Sequence, residues 1–146
     1  MLSVDTNILF YALNANAPLN TKAVDFLQSF QDSEEMALSE LVLTELYCLL
    51  RNPFILAHPL PAAEAVDVIQ HFRNHPKWRL IGFPQNSRVL HDQLWKYAAQ
   101  RDFAYRRVYD ARLALTLLQN GVTEFASVNA KDFAKLGFKR VWNPLG

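Results

Sequence analysis

The sequence predicts an α/β layer fold with a mostly parallel central sheet. Short apolar runs alternate along the chain with segments in which apolar residues recur at helical spacing, and this alternation is typical of such folds. The chain has 146 residues, 51% of them hydrophobic, which is enough to build one core. No segment resembles a linker, so we expect a single domain over residues 1–146.

Five short apolar runs are predicted to be the strands of this sheet. In chain order they cover residues 2–4, 36–38, 79–81, 125–128 and 140–142. Because helical patterns separate them, the connections are long enough to be the crossovers that parallel strands require.

Five helices are predicted from the spacing of apolar residues. They cover about residues 21–30, 40–50, 61–73, 88–100 and 109–120. Asn20 is expected to cap the first of them, Pro61 to occupy the first position of the third, and Gly121 to end the last. Residues 52–60 are expected to form a surface loop.

The cellular setting is predicted from what the chain contains. It has one cysteine, Cys48, so an intrachain disulfide is excluded and a cytoplasmic protein is expected. Cys48 lies in an apolar run and is expected to be buried. No apolar stretch approaches the roughly 20 residues of a membrane helix. The N-terminus lacks a basic start and carries Asp5 inside its apolar stretch, which argues against a signal peptide.

Four carboxylates stand where a carboxylate is locally out of place. Asp5 ends the first apolar run, Glu45 and Asp110 lie inside apolar helical segments, and Asp132 follows the fourth strand by a few residues. Carboxylates are rarely buried unless they are paired or bind a metal, and Mg²⁺ and Mn²⁺ prefer oxygen ligands. Ligands of open parallel sheets bind beyond the carboxyl ends of the strands. The four acids can therefore converge at one rim of the sheet as a metal pocket.

Neighbouring polar side chains are placed to support these acids. Thr6 and Asn7 can orient Asp5 by hydrogen bonding, and Asn129 is placed to support Asp132. The alternative is that the acids are helix caps, turn residues or surface ion-pair partners. That alternative is strongest for Asp132 and weakest for Glu45, whose neighbours are core-like.

Four motifs that contain these acids appear in one order along nearly the whole chain. They are Asp5-Thr6-Asn7-Ile8-Leu9, Thr44-Glu45-Leu46-Tyr47, Tyr109-Asp110-Ala111-Arg112-Leu113-Ala114 and Ser127-Val128-Asn129-Ala130-Lys131-Asp132-Phe133. This ordered set resembles PIN-domain ribonucleases, and within them the VapC-type toxins of bacterial toxin–antitoxin pairs. Many relatives have threonine at the position of Ser127, which keeps the hydroxyl group.

The resemblance implies a three-layer α/β/α PIN-like domain that cleaves RNA endonucleolytically with Mg²⁺ or Mn²⁺. By position, Asp5, Glu45 and Asp110 match the core acidic triad, and Asp132 matches a more variable fourth acid. Asp5 and Asp110 are expected to be direct ligands, whereas Glu45 binds the metal itself or acts through a coordinated water. Ser127 joins Thr6, Asn7 and Asn129 as a supporting residue.

The resemblance also implies partners. They are a structured RNA such as transfer or ribosomal RNA, a small antitoxin whose tail crosses the acidic cleft, and a second copy of the chain. The homodimer is expected to use helical faces around residues 46–50 and 66–72. No membrane partner is expected.

The net charge of +1 hides an uneven distribution. Residues 1–72 carry two basic and nine acidic side chains, a local charge of −7, whereas residues 73–146 carry thirteen basic and five acidic ones, a local charge of +8. Such a basic half can bind a polyanion, or can simply keep the protein soluble. Arg106 and Arg107, just before Asp110, are either a solvated helix start or a pair that positions RNA phosphates beside the metal.

Other enzyme classes fit poorly. The chain has only four glycines and contains neither a dinucleotide-binding nor a Walker A motif, and it has no Gly-x-Ser-x-Gly elbow. His71 and His75 have a spacing compatible with zinc but no third ligand. The competing hypotheses are a PIN-type housekeeping nuclease of RNA maturation and a catalytically silent RNA- or protein-binding module.

Overall fold

A five-stranded, fully parallel sheet forms the centre of the protein, and all 146 residues are described by the computed structural model. The strands are β1 (Leu2–Val4), β2 (Met36–Ser39), β3 (Arg79–Ile81), β4 (Glu124–Ala126) and β5 (Arg140–Trp142). Their order across the sheet is β3-β2-β1-β4-β5, and each pair of neighbours is parallel. The predicted α/β fold with a mostly parallel sheet is therefore confirmed.

Six α-helices cover this sheet. They are α1 (Thr6–Leu13), α2 (Asn20–Gln28), α3 (Glu40–Leu50), α4 (Ala62–Arg73), α5 (Ser87–Ala98) and α6 (Arg107–Gln119), and a 3-10 turn covers Ala130–Asp132. The chain steps outward from β1 to β2 and β3 and then returns to β4. Because parallel crossovers are right-handed, α1 to α4 cover one face and α5 and α6 cover the other. This is the three-layer α/β/α arrangement.

Helix α1 is the one α-helix that the sequence patterns did not predict. Its apolar residues are consecutive in the sequence and do not recur at helical spacing. Neighbouring residues such as Ile8 and Leu9 are both fully buried, so the helix has no single apolar stripe. The signal for its start is Asp5, whose side chain accepts a hydrogen bond from the Thr6 backbone N–H as an N-cap does.

Two predicted helix starts were wrong by one position. Asn20 is the first residue of α2, and its side-chain amide donates to the carbonyls of Tyr11 (2.8 Å) and Ala12 (3.1 Å), so it closes the end of α1. Pro61 precedes α4 at the N-cap position and is not its first helical residue.

Helix α3 has the predicted bounds, but the predicted burial of Cys48 was wrong. Cys48 is exposed, because it lies two positions from the fully buried Leu46 and therefore points to the opposite side of the helix. Leu46 and Leu50 are buried within the chain, so these two side chains are not available to a homodimer interface.

The core extends past the sheet to the segment that carries Asp132. Phe125 of β4 packs against Phe133 and Phe138, with ring centroids 4.6 Å and 5.3 Å apart. These contacts hold the 3-10 turn over the carboxyl end of β4. No helix of the structure combines the length and the apolar character that crossing a membrane would require.

A carboxylate cavity at the carboxyl edge of the sheet

All strands of the sheet point the same way, so the segments that follow them meet at one edge. Asp5 follows β1, Glu45 lies in the second turn of α3 after β2, Asp110 lies in the first turn of α6, and Asp132 ends the 3-10 turn after β4. All four line one open cavity of about 280 Å³. The structure thus brings together the four acids that the sequence singled out.

Asp5 is the most firmly held of the four. Its Oδ1 accepts from the Thr6 backbone N–H at 2.8 Å, and its Oδ2 accepts from the Ser127 hydroxyl at 2.6 Å and, more weakly, from the Asn7 amide at 3.4 Å. A carboxylate has about four lone-pair sites, so a lone pair on Oδ1 remains open to a cation. Ser127 reaches Asp5 because β4 ends at Ala126, two residues earlier than predicted.

Asn7 and Ser127 join this carboxylate to the segment after β4. The Asn7 side-chain oxygen accepts from the Val128 backbone N–H at 3.3 Å, and the fully buried Ser127 hydroxyl accepts from the Asn129 backbone N–H at 3.0 Å. Thr6, Asn7 and Ser127 therefore form one hydrogen-bonded unit around Asp5, whereas Asn129, which was expected to support Asp132, contributes its backbone N–H to Ser127 and no side-chain hydrogen bond.

Glu45 is exposed at the side of the cavity formed by α3. Its Oε2 accepts from the Thr6 hydroxyl at 3.0 Å, and Thr6 is itself buried. Thr6 thus contacts both acids: its backbone N–H donates to Asp5 and its side chain donates to Glu45. Oε1 of Glu45 has no protein donor and faces ligand or solvent.

Asp132 is positioned through Arg107. The Arg107 guanidinium donates a short hydrogen bond from Nη2 to the Asp132 backbone carbonyl, and it lies over the Phe103 ring at 5.9 Å from the centroid. Its Nε is buried and has no hydrogen-bond partner within the chain. The sequence suggested that Arg107 contacts RNA phosphates, but in the structure its guanidinium has a partner within the chain. Because Arg107 and Asp132 are 25 positions apart, a local sequence pattern could not reveal this contact. Arg106 is exposed.

Burial and nearby negative charge raise the pKa values of two of these groups. The pKa of Asp110 is raised to about 6, mainly by burial and then, in order of size, by the charges of Asp5, Asp132 and Glu45, while the nearby Arg107 guanidinium opposes the shift. Burial also raises the pKa of Asp5, although the hydrogen bonds from Ser127 and Thr6 counter it. A cation in the cavity would relieve both effects.

The donor set suits a hard divalent cation held partly through water. The cavity offers oxygen atoms, an open lone pair on Asp5 and two carboxylates, Asp5 and Asp110, whose pKa values are raised by burial and by neighbouring negative charge. In this conformation, however, no three acidic, histidine or cysteine side chains stand close enough to hold one ion together. Mg²⁺ is usually bound by one or two carboxylates and keeps several waters, so the arrangement fits that ion without a complete protein cage.

The sequence is similar to that of a known protein family and of a ribonuclease in it. A model of the PIN domain family matches residues 2–139, a span that contains all four acids. Ribonuclease VapC24 of Mycobacterium tuberculosis is 46% identical over 145 residues, which are 99% of this chain and 97% of that protein.

Solved structures share the fold at low sequence identity. VapC20 of Mycobacterium tuberculosis, described as a sarcin–ricin loop cleaving toxin, has a TM-score of 0.66 and 17% identity and covers 92% of this chain and 94% of its own. FitAcB of Neisseria gonorrhoeae has a TM-score of 0.68 and 21% identity, and the match covers 99% of this chain and 98% of that one. FitAB bound to a DNA fragment has a TM-score of 0.71 and 18% identity, and the match covers 100% of this chain and 96% of that one. At such identities the likeness shows the fold alone.

Proposed function

The chain belongs to the PIN-domain family and to its VapC-type ribonucleases, and from this premise we propose that it is a Mg²⁺- or Mn²⁺-dependent endoribonuclease acting as the toxin of a toxin–antitoxin pair. The observation that carries the proposal is the convergence of Asp5, Glu45, Asp110 and Asp132 on one cavity. Four acids drawn from dispersed parts of the chain would seldom meet in this way as caps or surface ion pairs.

The chemistry is hydrolysis of a phosphodiester bond in RNA. A bound divalent ion supplies Lewis-acid activation of water and neutralises negative charge on the phosphate. Asp5 and Asp110 would hold the ion directly, since both are partly buried and both have raised pKa values in its absence. Asp132 lines the same cavity and would hold the ion through water.

Glu45 is assigned the proton transfer. Its Oε2 is fixed by the Thr6 hydroxyl at 3.0 Å, which leaves Oε1 free to accept a proton from the attacking water. Ser127, Asn7 and Thr6 keep Asp5 oriented through the hydrogen bonds described above, so the metal-binding oxygen stays in place during the reaction.

A cleavage assay tests this assignment. Purified chain, free of any co-expressed partner, is incubated with total cellular RNA in Mg²⁺ or Mn²⁺ and separately in EDTA, and new RNA ends are mapped by sequencing. We expect cleavage at few sites in structured RNA such as transfer or ribosomal RNA, and its loss in EDTA and in Asp5→Asn and Asp110→Asn. Asp132→Asn should reduce the rate less. Cleavage that survives chelation would refute the metal mechanism.

The antitoxin is proposed to approach across an apolar groove beside the acidic cavity. This groove, of about 430 Å³, shares Phe10 with the cavity and is walled mainly by apolar side chains of α1, α3 and the loop before α4, among them Leu13, Ile55 and Leu60. An antitoxin segment seated there would place its tail among the carboxylates, where a basic side chain would pair with them and displace the ion.

Co-expression with the adjacent open reading frame distinguishes the toxin from a housekeeping nuclease. We expect expression of the chain alone to arrest growth, and the neighbour to co-purify with the chain and relieve the arrest. If it does neither, the housekeeping nuclease replaces the toxin while the metal site stands. Failure of every RNA to be cut, together with growth arrest that survives Asp110→Asn, would instead favour a silent binding module.

A homodimer also remains part of the proposal, but with a revised surface. Because Leu46 and Leu50 are buried, the contact would use exposed side chains of α4 such as Val66, which is 44% exposed. Sedimentation velocity of the wild-type chain and of Val66→Glu tests this face.

A further inference from the structure

A groove between α3 and the start of α6 leads away from the carboxylate cavity, and we propose that it binds a single-stranded segment of RNA. We call it the α3–α6 groove. The inference rests on the proposed function for the chemistry at the cavity, but it concerns binding, which can be measured without cleavage.

The α3–α6 groove is continuous with the cavity. It has a volume of about 470 Å³ and shares Glu45 and Asp110 with the cavity. Tyr109 and Arg112 of α6, together with Arg106 at its N-cap, form part of its wall. A strand of RNA lying along it would therefore reach the acids without leaving the surface of the protein.

The groove also continues away from the cavity. A second depression, of about 680 Å³, shares Leu41, Thr44 and Arg112 with it and extends to Phe83, whose side chain is 93% exposed. Grooves that bind single strands commonly cover about 4–16 nucleotides, and we expect this combined path to hold several.

The charges along the groove fit a polyanion. Four carboxylates at the cavity repel phosphates, so a substrate needs positive charge beside them to be held there. Arg106 and Arg112 supply it, and neither forms an ion pair within the chain, whose ion pairs all involve other residues. Their charges are therefore available to phosphate groups.

Exposed aromatic rings beside these arginines fit unstacked bases. Tyr109 is 68% exposed and lies 5.8 Å from the Arg112 guanidinium, while Tyr105 is 77% exposed and lies 5.5 Å from that of Arg106. In each pair the arginine covers part of one ring face and steadies the ring, and the other face is open to a base. Bases inside a duplex are already stacked, so this chemistry selects a single-stranded loop or end.

Binding of RNA in EDTA tests the proposal. The probe is a fluorescent single-stranded RNA of about ten nucleotides, a length one groove can hold, and its affinity is measured by anisotropy. We expect Tyr109→Ala to weaken binding about 5- to 100-fold, the range for losing one base stack, and Tyr109→Phe to bind like the wild type. Arg112→Gln should lower the salt slope by about 0.7, the value for one phosphate contact on a single strand.

Matched controls lie outside the groove. Trp95 is another exposed aromatic residue, 59% exposed on α5, and Lys139 precedes β5 at the opposite edge of the sheet. Trp95→Ala and Lys139→Gln should leave affinity and salt slope unchanged. A duplex of the same length should bind more weakly than the single strand.

Cys48 provides an independent footprint, because it is exposed, lines the groove and is the chain's one cysteine. We expect the single-stranded RNA to slow its alkylation by iodoacetamide. In the double variant Gln28→Cys/Cys48→Ser, whose new thiol lies at an exposed position of α2, alkylation should proceed at the same rate with and without RNA.

The outcomes separate this inference from the proposed function. If the wild type cleaves RNA but Tyr109→Ala and Arg112→Gln bind it normally and Cys48 is not protected, the α3–α6 groove is overturned as the RNA path and a protein partner is its occupant. If these variants lose binding and Cys48 is protected although no RNA is cut, the groove stands and the nuclease assignment falls.

Discussion

Asp110→Asn should make the metal-free protein more stable at neutral pH, although it removes a residue assigned to the reaction. The pKa of Asp110 is raised from 3.8 to about 6, so the folded state holds its proton more tightly than the unfolded state does. As the pH rises from about 4 to about 6 the folded protein must ionise a carboxyl that resists ionisation, and stability falls. Asparagine has the same shape and carries no charge.

The size of the gain follows from the shift. A rise of about two units, at about 1.4 kcal/mol per unit, corresponds to an upper limit of about 3 kcal/mol above pH 6. Asp110 is only partly buried, so solvent screening reduces this to about 1.5 kcal/mol. The carboxylate also lies in the first turn of α6, where losing its interaction with the helix N-terminus costs about 0.5 kcal/mol. The net gain is about 1 kcal/mol.

Urea unfolding in EDTA at several pH values between 4 and 8 measures this gain. We expect the free energy of unfolding of Asp110→Asn to exceed that of the wild type by about 1 kcal/mol at pH 8, and the difference to disappear as the pH falls from about 6 to about 4. Asp67→Asn, an exposed position on α4, is the control and should change stability by less than about 0.5 kcal/mol. Equal stability at pH 8, or a gain that does not change with pH, would refute the account of charge crowding.

Three further predictions follow from the same site. Mn²⁺ affinity, measured by calorimetry, should decline as the pH falls through about 6, because the ion must displace the proton of Asp110; affinity that is flat from pH 7 to pH 5 would count against Asp110 as a ligand. Ser127→Ala should destabilise the protein by about 1–3 kcal/mol and raise the pKa of Asp5 further, since the hydroxyl lowers it; Ser127→Thr, which keeps the hydroxyl, is the control for thermal unfolding. Arg107→Ala should weaken Mn²⁺ binding about 10-fold, because it frees the Asp132 carbonyl and this loss of position outweighs the removal of a positive charge that repels the ion; an affinity equal to or higher than that of the wild type would show that Arg107 does not position the site.

Local sequence patterns predicted most strands and helices because each of these elements is formed by a short segment with its own apolar spacing. Strands β3 and β5 and helix α3 have the predicted bounds, since each is a short apolar run or a helical stripe with polar neighbours. Helix α1 was not predicted because its apolar residues are buried on more than one side, so the sequence shows no single apolar stripe at helical spacing. The predicted burial of Cys48 was wrong because an apolar run does not reveal which side of a helix faces the core.

By itself the sequence determined which residues are candidates for the site and in what order they occur. The acids Asp5, Glu45, Asp110 and Asp132 stand after predicted strands or in helices, and parallel strands bring such positions to one edge. Only the tertiary structure decided how they act on one another. The Ser127 hydroxyl meets Asp5 across 122 positions of sequence, and the pKa of Asp110 depends on three carboxylates and one guanidinium from other segments. Electrostatic effects depend on distance and burial in space, and these are fixed only when the layers pack. The α3–α6 groove has the same origin, since its two walls belong to helices on opposite faces of the sheet and meet only at its carboxyl edge.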